Sequence, residues 1–144
     1  AEKSAAVTHS HPEGIKGAQA TAMTMWMAKH GTDAATMRRE ISECFGYDLS
    51  QSVDDIREWY KFDVSCAATV PQAITCALEA IDYEDAIRNA VSIGGDTDTV
   101  ACITGGVAEV MFGLPNEIET KARSYLSEEL IDVVDQFSEY IGCD

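Results

Sequence analysis

Apolar residues recur at three- and four-residue spacing along most of this chain. No segment alternates apolar and polar positions convincingly over a strand's length, so the pattern predicts helices throughout. Ser10-His11-Pro12-Glu13 reads as a capping box with proline in the first turn, opening a helix with the stripe Ile15, Ala18, Ala22, Met25 and Trp26 that Gly31 stops. Asp33 caps a second helix, in which Met37, Ile41 and Phe45 recur every fourth residue up to Gly46. Ser52 with Asp55 starts a third, through Ile56 and Trp59. Asp63 to Cys66 interrupts the pattern, and Thr69 before Val70-Pro71 opens a helix carrying Ile74, Ala77, Leu78 and Ile81. Asp82 and Asp85 frame a short helix with Ala86, Ile87, Ala90 and Val91, which delivers the chain to Gly94. Val100 to Met111 then reads as a mostly buried helix ending at Gly113. Beyond Leu114-Pro115, Asn116 with Glu119 restarts a helix, and Ser127 with Glu128 and Glu129 starts the last, turning Leu130, Ile131, Val134 and Phe137 inward. Residues 1–9 carry no clear periodicity. The expectation is an all-α, compact domain over residues 1–144.

Composition sharpens that picture in three ways. The chain has 144 residues, 46% of them hydrophobic, with no low-complexity run or fixed-period repeat, which suits one core. No apolar stretch reaches the roughly 20 residues a membrane helix needs, and Ala1-Glu2-Lys3-Ser4 does not begin a secretory signal, so a soluble protein is expected. The formal net charge of −15 sets the chain against nucleic acid and anionic membranes as partners, since both call for clustered Lys and Arg. The cysteines, Cys44, Cys66, Cys76, Cys102 and Cys143, are odd in number and lack C-x-x-C spacing. That argues against a disulfide frame or a zinc site and fits a reducing cytoplasm. Cys76 and Cys102 fall in apolar helical patterns and read as small core residues. The acidic pairs Asp54/Asp55, Glu84/Asp85 and Glu128/Glu129 stand near helix starts and read as caps and solvated faces.

Candidate chemistry concentrates in Gly94-Gly95-Asp96-Thr97-Asp98-Thr99. Asp96 and Asp98 stand two residues apart with Thr99 next, so a turn can converge three hard oxygen donors on one point, a set that suits Mg²⁺. The glycines permit positive φ and close approach of another segment. The same residues are also ordinary helix N-caps, so capping is the competing reading.

These six residues, together with Thr8-His9-Ser10-His11-Pro12, resemble the ADP-ribosylglycohydrolase family. The second matching stretch runs from about Asp82 through Ala86-Ile87-Arg88-Asn89-Ala90-Val91 and the glycine pair to Gly113-Leu114-Pro115. The resemblance covers nearly the whole chain and implies the C-terminal half of that family's all-helical domain. It implies that Asp96, Asp98 and Thr99 are ligands to a pair of Mg²⁺ ions, with Mn²⁺ as a substitute, and that His9 lines an ADP-ribose pocket. It further implies cleavage of the glycosidic bond joining ADP-ribose to a protein side chain or small molecule. In the family a Thr-Asp-Asp ligand set and the acidic residue proposed for acid/base work lie in the N-terminal half. No Thr-Asp-Asp occurs here, so no catalytic acid is assigned. The chain is then a fragment, a short homologue or one component of a split enzyme, its site completed by a separate N-terminal half. Self-association through exposed apolar surface is a further expectation. A non-catalytic ADP-ribose-binding or crystallin-like module, and a plain helical interaction domain, are the alternatives. His11 and His30 read as surface residues.

Overall fold

The computed structural model describes residues 1–142; Cys143 lies outside the described residues. Among these residues it is all helical, and the chain divides into two compact units, Ala1–Gly113 and the residues from Leu114 on.

The first unit contains α1 (Glu2–Ala5), α2 (Pro12–Lys29), α3 (Ala34–Phe45), α4 (Val53–Trp59), α5 (Cys66–Glu79), α6 (Tyr83–Ser92) and α7 (Thr97–Phe112). Most starts follow the predicted chemistry. Asp33 accepts the Thr36 N–H at 2.9 Å, Ser52 and Asp55 form a reciprocal capping box, and Asp82 accepts the Asp85 N–H at 2.8 Å. At the end of α3, Gly46 takes the left-handed conformation, with φ 65°.

Three local expectations are corrected. Ser10 does not cap α2: His11 does, its Nδ1 accepting the Glu13 N–H at 3.2 Å. The buried stripe of α2 is Gly17, Ala20, Thr24 and Met27, whereas Trp26 is 61% exposed. Small residues let neighbouring helices approach that face closely, as Gly17 shows, where an added Cβ would stand 3.0 Å from Val70 Cγ2. Helix α5 starts four residues before the expected Val70, because Ser65 Oγ accepts the Ala68 N–H at 3.3 Å and Asp63 accepts the Ser65 N–H at 2.7 Å. Pro71 therefore lies inside the helix, and Ile81, beyond its end, is exposed.

Helix α5 is the centre of the unit, buried continuously from Thr69 to Leu78. Val70, Ile74 and Leu78 enter one cluster with Ala20, Met27, Met37, Ile41 and Leu49. Ala73 and Cys76 enter a second with Val53, Ile56, Tyr60, Ala90, Ile93 and Val100. Helix α7 packs against α5 and α6, and Thr104 ties it down by donating to the Ala73 carbonyl at 2.9 Å. The foot of α7, where the candidate chemistry lies, is thus fixed from within. Cys76 is fully buried, and burial pushes its thiol up to about 12. Cys102, by contrast, is exposed on α7.

The second unit holds α8 (Asn116–Arg123) and α9 (Glu128–Ile141). Arg123 joins them through an ion pair with Asp135, and within α8 it lies 3.9 Å from Glu119. The expectation that α9 turns Leu130, Ile131, Val134 and Phe137 inward is not met: none is buried, and Phe137 is 61% exposed. Two short helices have too little apolar surface to enclose one another's side chains.

Candidate functional site

The turn before α7 is shaped by two successive glycines, Gly94 at φ 76° and Gly95 at φ 72°. Both angles lie where a side chain strains the backbone. At Gly95 space forbids one as well: an added Cβ would stand 2.5 Å from Tyr60 Cε1 and 3.2 Å from the Lys61 carbonyl oxygen. The turn is pressed against the end of α4, and it hands Asp96 to the N-cap position of α7.

Asp96 does not behave as a cap. Asp33, Ser52, Ser65 and Asp82 hold extended backbones and accept a backbone N–H from their own first turns. Asp96 has φ −82° and ψ 68°, and its side chain makes no capping bond. Forgoing a cap costs a helix about 1 kcal/mol. Asp96 is instead half-buried and close enough to Asp98 to influence its ionisation. That contact first, and then the backbone N–H groups of Asp98 and Thr99, hold the Asp98 carboxyl below the ordinary carboxylate range. Asp96 at the N-cap, with Asp98 and the exposed Thr99 in the first turn, sets hard oxygen donors at one helix N-terminus. Such a donor set fits Mg²⁺ or Mn²⁺. Among the described residues no group of three or more His, Cys, Asp or Glu is arranged to hold a metal. The carboxylates here number two.

Beneath the turn lies Tyr60, 7% exposed. Burial raises its phenol above the ordinary value, the neighbouring Thr69 hydroxyl tempers that rise, and the charges of Asp63 and Asp96 add to it. Thr69 donates to the Asp63 carbonyl at 3.2 Å, and the Tyr60 hydroxyl has no hydrogen-bond partner. The sequence offered no sign of Tyr60, which stands 35 positions before Gly95 and matters only because the fold sets the two in contact.

His9 sits elsewhere on the surface of the same unit. Its Nδ1 is 2.8 Å from Thr8 Oγ1, and Gly14 lets the segment approach α2, where a Cβ would meet the His9 carbonyl oxygen at 3.0 Å. His9 lines a hollow of about 500 Å³ with His11, Glu13, Ser65 and Cys66, and an adjoining one of about 470 Å³ between α1, α2 and α5. Neither hollow is lined by any residue of 94–99. The structure sets Asp96 at the N-cap of α7 with Asp98 in its first turn, and gives His9 a separate, mainly apolar cleft.

An all-helical fold with this glycine-aspartate turn defines a class, and the comparison with known families agrees: the chain belongs to the ADP-ribosylglycohydrolase family, whose profile matches residues 1–142. Among individual proteins, it is similar to ADP-ribosylhydrolase ARH3 of Danio rerio, with 28% identity over 76 residues. That match takes in 45% of this chain and 20% of the relative, so the chain spans only about a fifth of that protein's length in the match. No solved structure matches the chain.

Proposed function

We propose that the chain serves a metal-dependent hydrolase that cleaves the glycosidic bond of ADP-ribosylated proteins or small molecules. The observation that supports this most is Asp96, a carboxylate at a helix N-cap that does no capping and meets Asp98 instead. In this reading Asp96, Asp98 and Thr99 hold Mg²⁺, and His9 contacts the ADP-ribosyl group. The bound ion would orient ribose oxygens and lend acidity to water at neutral pH. It would also reconcile a chain of net charge −15 with an anionic nucleotide. The chain's own part is positional: the glycine turn fixes the two carboxylates on the rigid foot of α7, and Gly14 fixes His9 against α2.

Two carboxylates and one hydroxyl fall short of the roughly twelve oxygens that two octahedral ions require. The remaining ligands and the catalytic acid would come from water and from a further polypeptide segment, whether a separate N-terminal half or a second copy. The exposed apolar residues of α9 support association of one of these kinds. The free thiols of Cys44, Cys66, Cys76 and Cys102 suit the reducing cytoplasm. No helix among the described residues is long and apolar enough to cross a membrane.

The small ligand set also favours a second reading, a module that binds ADP-ribose without turning it over, or a crystallin-like structural relative. Calorimetric titration of ADP-ribose in Mg²⁺ and in EDTA tests both. Mg²⁺-dependent binding that disappears in the Asp96→Ala/Asp98→Ala double variant is expected, whereas equal binding by both proteins contradicts the assignment. Hydrolysis on adding the missing segment separates enzyme from binding module.

A further inference from the structure

The turn before α7 has no side chain of its own to hold it. Gly94 and Gly95 carry none, Asp96 forms no capping bond, and Asp98 is exposed. Something outside the turn must therefore set the distance between the two carboxylates. The ring of Tyr60 occupies the volume that a Gly95 side chain would fill, and the Lys61 carbonyl closes the same space from the side. Tyr60 is anchored from behind by the core cluster of Val53, Ile56, Ala73 and Cys76. Trp59 meets its ring edge-on, with centroids 6.0 Å apart. A buried aromatic ring thus backs a turn whose two glycines carry no side chain. The contact with Gly95 is made by ring carbons Cε1 and Cδ1 and not by the hydroxyl.

We infer that Tyr60 is a positioning residue for the Asp96/Asp98 centre, acting through the contact of its ring with Gly95. The inference rests on the metal reading given above and adds a residue to it. Groups that orient metal ligands without touching the ion typically change metal affinity by about 10–100-fold when lost. Tyr60→Leu removes the flat wall and leaves the turn free to sag toward the core. Tyr60→Phe keeps the wall and discards only the unpartnered hydroxyl.

Mn²⁺ affinity, read by electron paramagnetic resonance on the folded chain, tests the inference. Ile41→Val, in the other core cluster, serves as a stability control. Tyr60→Phe should bind Mn²⁺ as the wild type does. Tyr60→Leu should bind about tenfold or more weakly and give an altered spectrum at saturation, while Ile41→Val loses stability without losing affinity. If Tyr60→Leu binds as tightly as the wild type, or Tyr60→Phe falls as far as Tyr60→Leu, the ring does not position the centre. If the affinity of Ile41→Val falls in step with its stability, Tyr60 is merely structural. A wild-type chain that binds no Mn²⁺ overturns the metal reading itself, and this inference with it.

Discussion

Asp33 and Asp96 are the same residue at the same helical position, and the structure uses them differently. Asp33 accepts both the Thr36 amide at 2.9 Å and the Thr36 hydroxyl at 2.7 Å, so it stabilises α3 and nothing else. Asp96 leaves its helix uncapped and faces Asp98. Stability measurements separate the two roles. In EDTA, Asp96→Ala/Asp98→Ala should melt within about 2 °C of the wild type, because Asp96 makes no capping bond and Asp98 is exposed. Asp33→Ala should melt lower in the same buffer. A clear drop in the double variant's melting temperature would mean that those carboxylates hold the fold together. Residue identity alone made Asp96 a candidate; the φ and ψ that turn it from its own helix depend on Gly94 and Gly95 together.

At the scale of elements, the capping chemistry was legible because it is local. Asp33, the Ser52/Asp55 box and Asp82 each act within a few residues of themselves, and the helices begin where those residues say. The misreadings came where tertiary packing decided. Pro71 looked like a first-turn proline, yet α5 runs through it from Ser65, because burial on every side outweighs one missing N–H. The α2 stripe read from the sequence runs through Ile15, Ala18, Ala22, Met25 and Trp26, whereas the fold buries the neighbouring face of Gly17, Ala20, Thr24 and Met27. Of the candidate site, Asp96, Asp98 and Thr99 stand out by their spacing, whereas the contact of Tyr60 with Gly95 has no signal in the sequence.

The cap and turn carboxylates also fix an acid dependence. Asp33, Asp48, Asp55 and Asp63 accept side-chain and backbone hydrogen bonds from Thr36, Ser50, Ser52 and Ser65, which lower each pKa below 3.8. A folded pKa below the unfolded one means that the stabilisation is complete above about 3.8 and is lost as pH falls through the depressed values. Circular dichroism melts between pH 7 and 2 should show helix stability declining chiefly below pH 4. A decline centred well above pH 4 would show that these carboxylates do not govern it. All four carboxylates are solvent-facing, so the loss should be gradual and sensitive to salt.

At the scale of the molecule, the two compact units differ in how they are held. The first has two apolar clusters joined through α5, while α8 and α9 have no buried residue. The Asp96/Asp98 turn and the His9 cleft both belong to the first unit, on structure that is fixed from its core. Family membership and the all-α fold agree with the sequence pattern because helical periodicity runs the length of the chain. The inward face expected of α9 failed for the opposite reason, since an amphipathic stripe indicates which side wants burial and not what will cover it.

The central claim is that Asp96, Asp98 and Thr99 together hold a hard divalent cation. Anomalous diffraction from a crystal of the chain soaked in Mn²⁺ tests it most directly. The account predicts an anomalous peak at coordination distance from both carboxylates, displaced by excess Mg²⁺ and absent from the double alanine variant. Crystals with no peak there, and with both carboxylates turned to solvent or bonded to backbone amides, would contradict it.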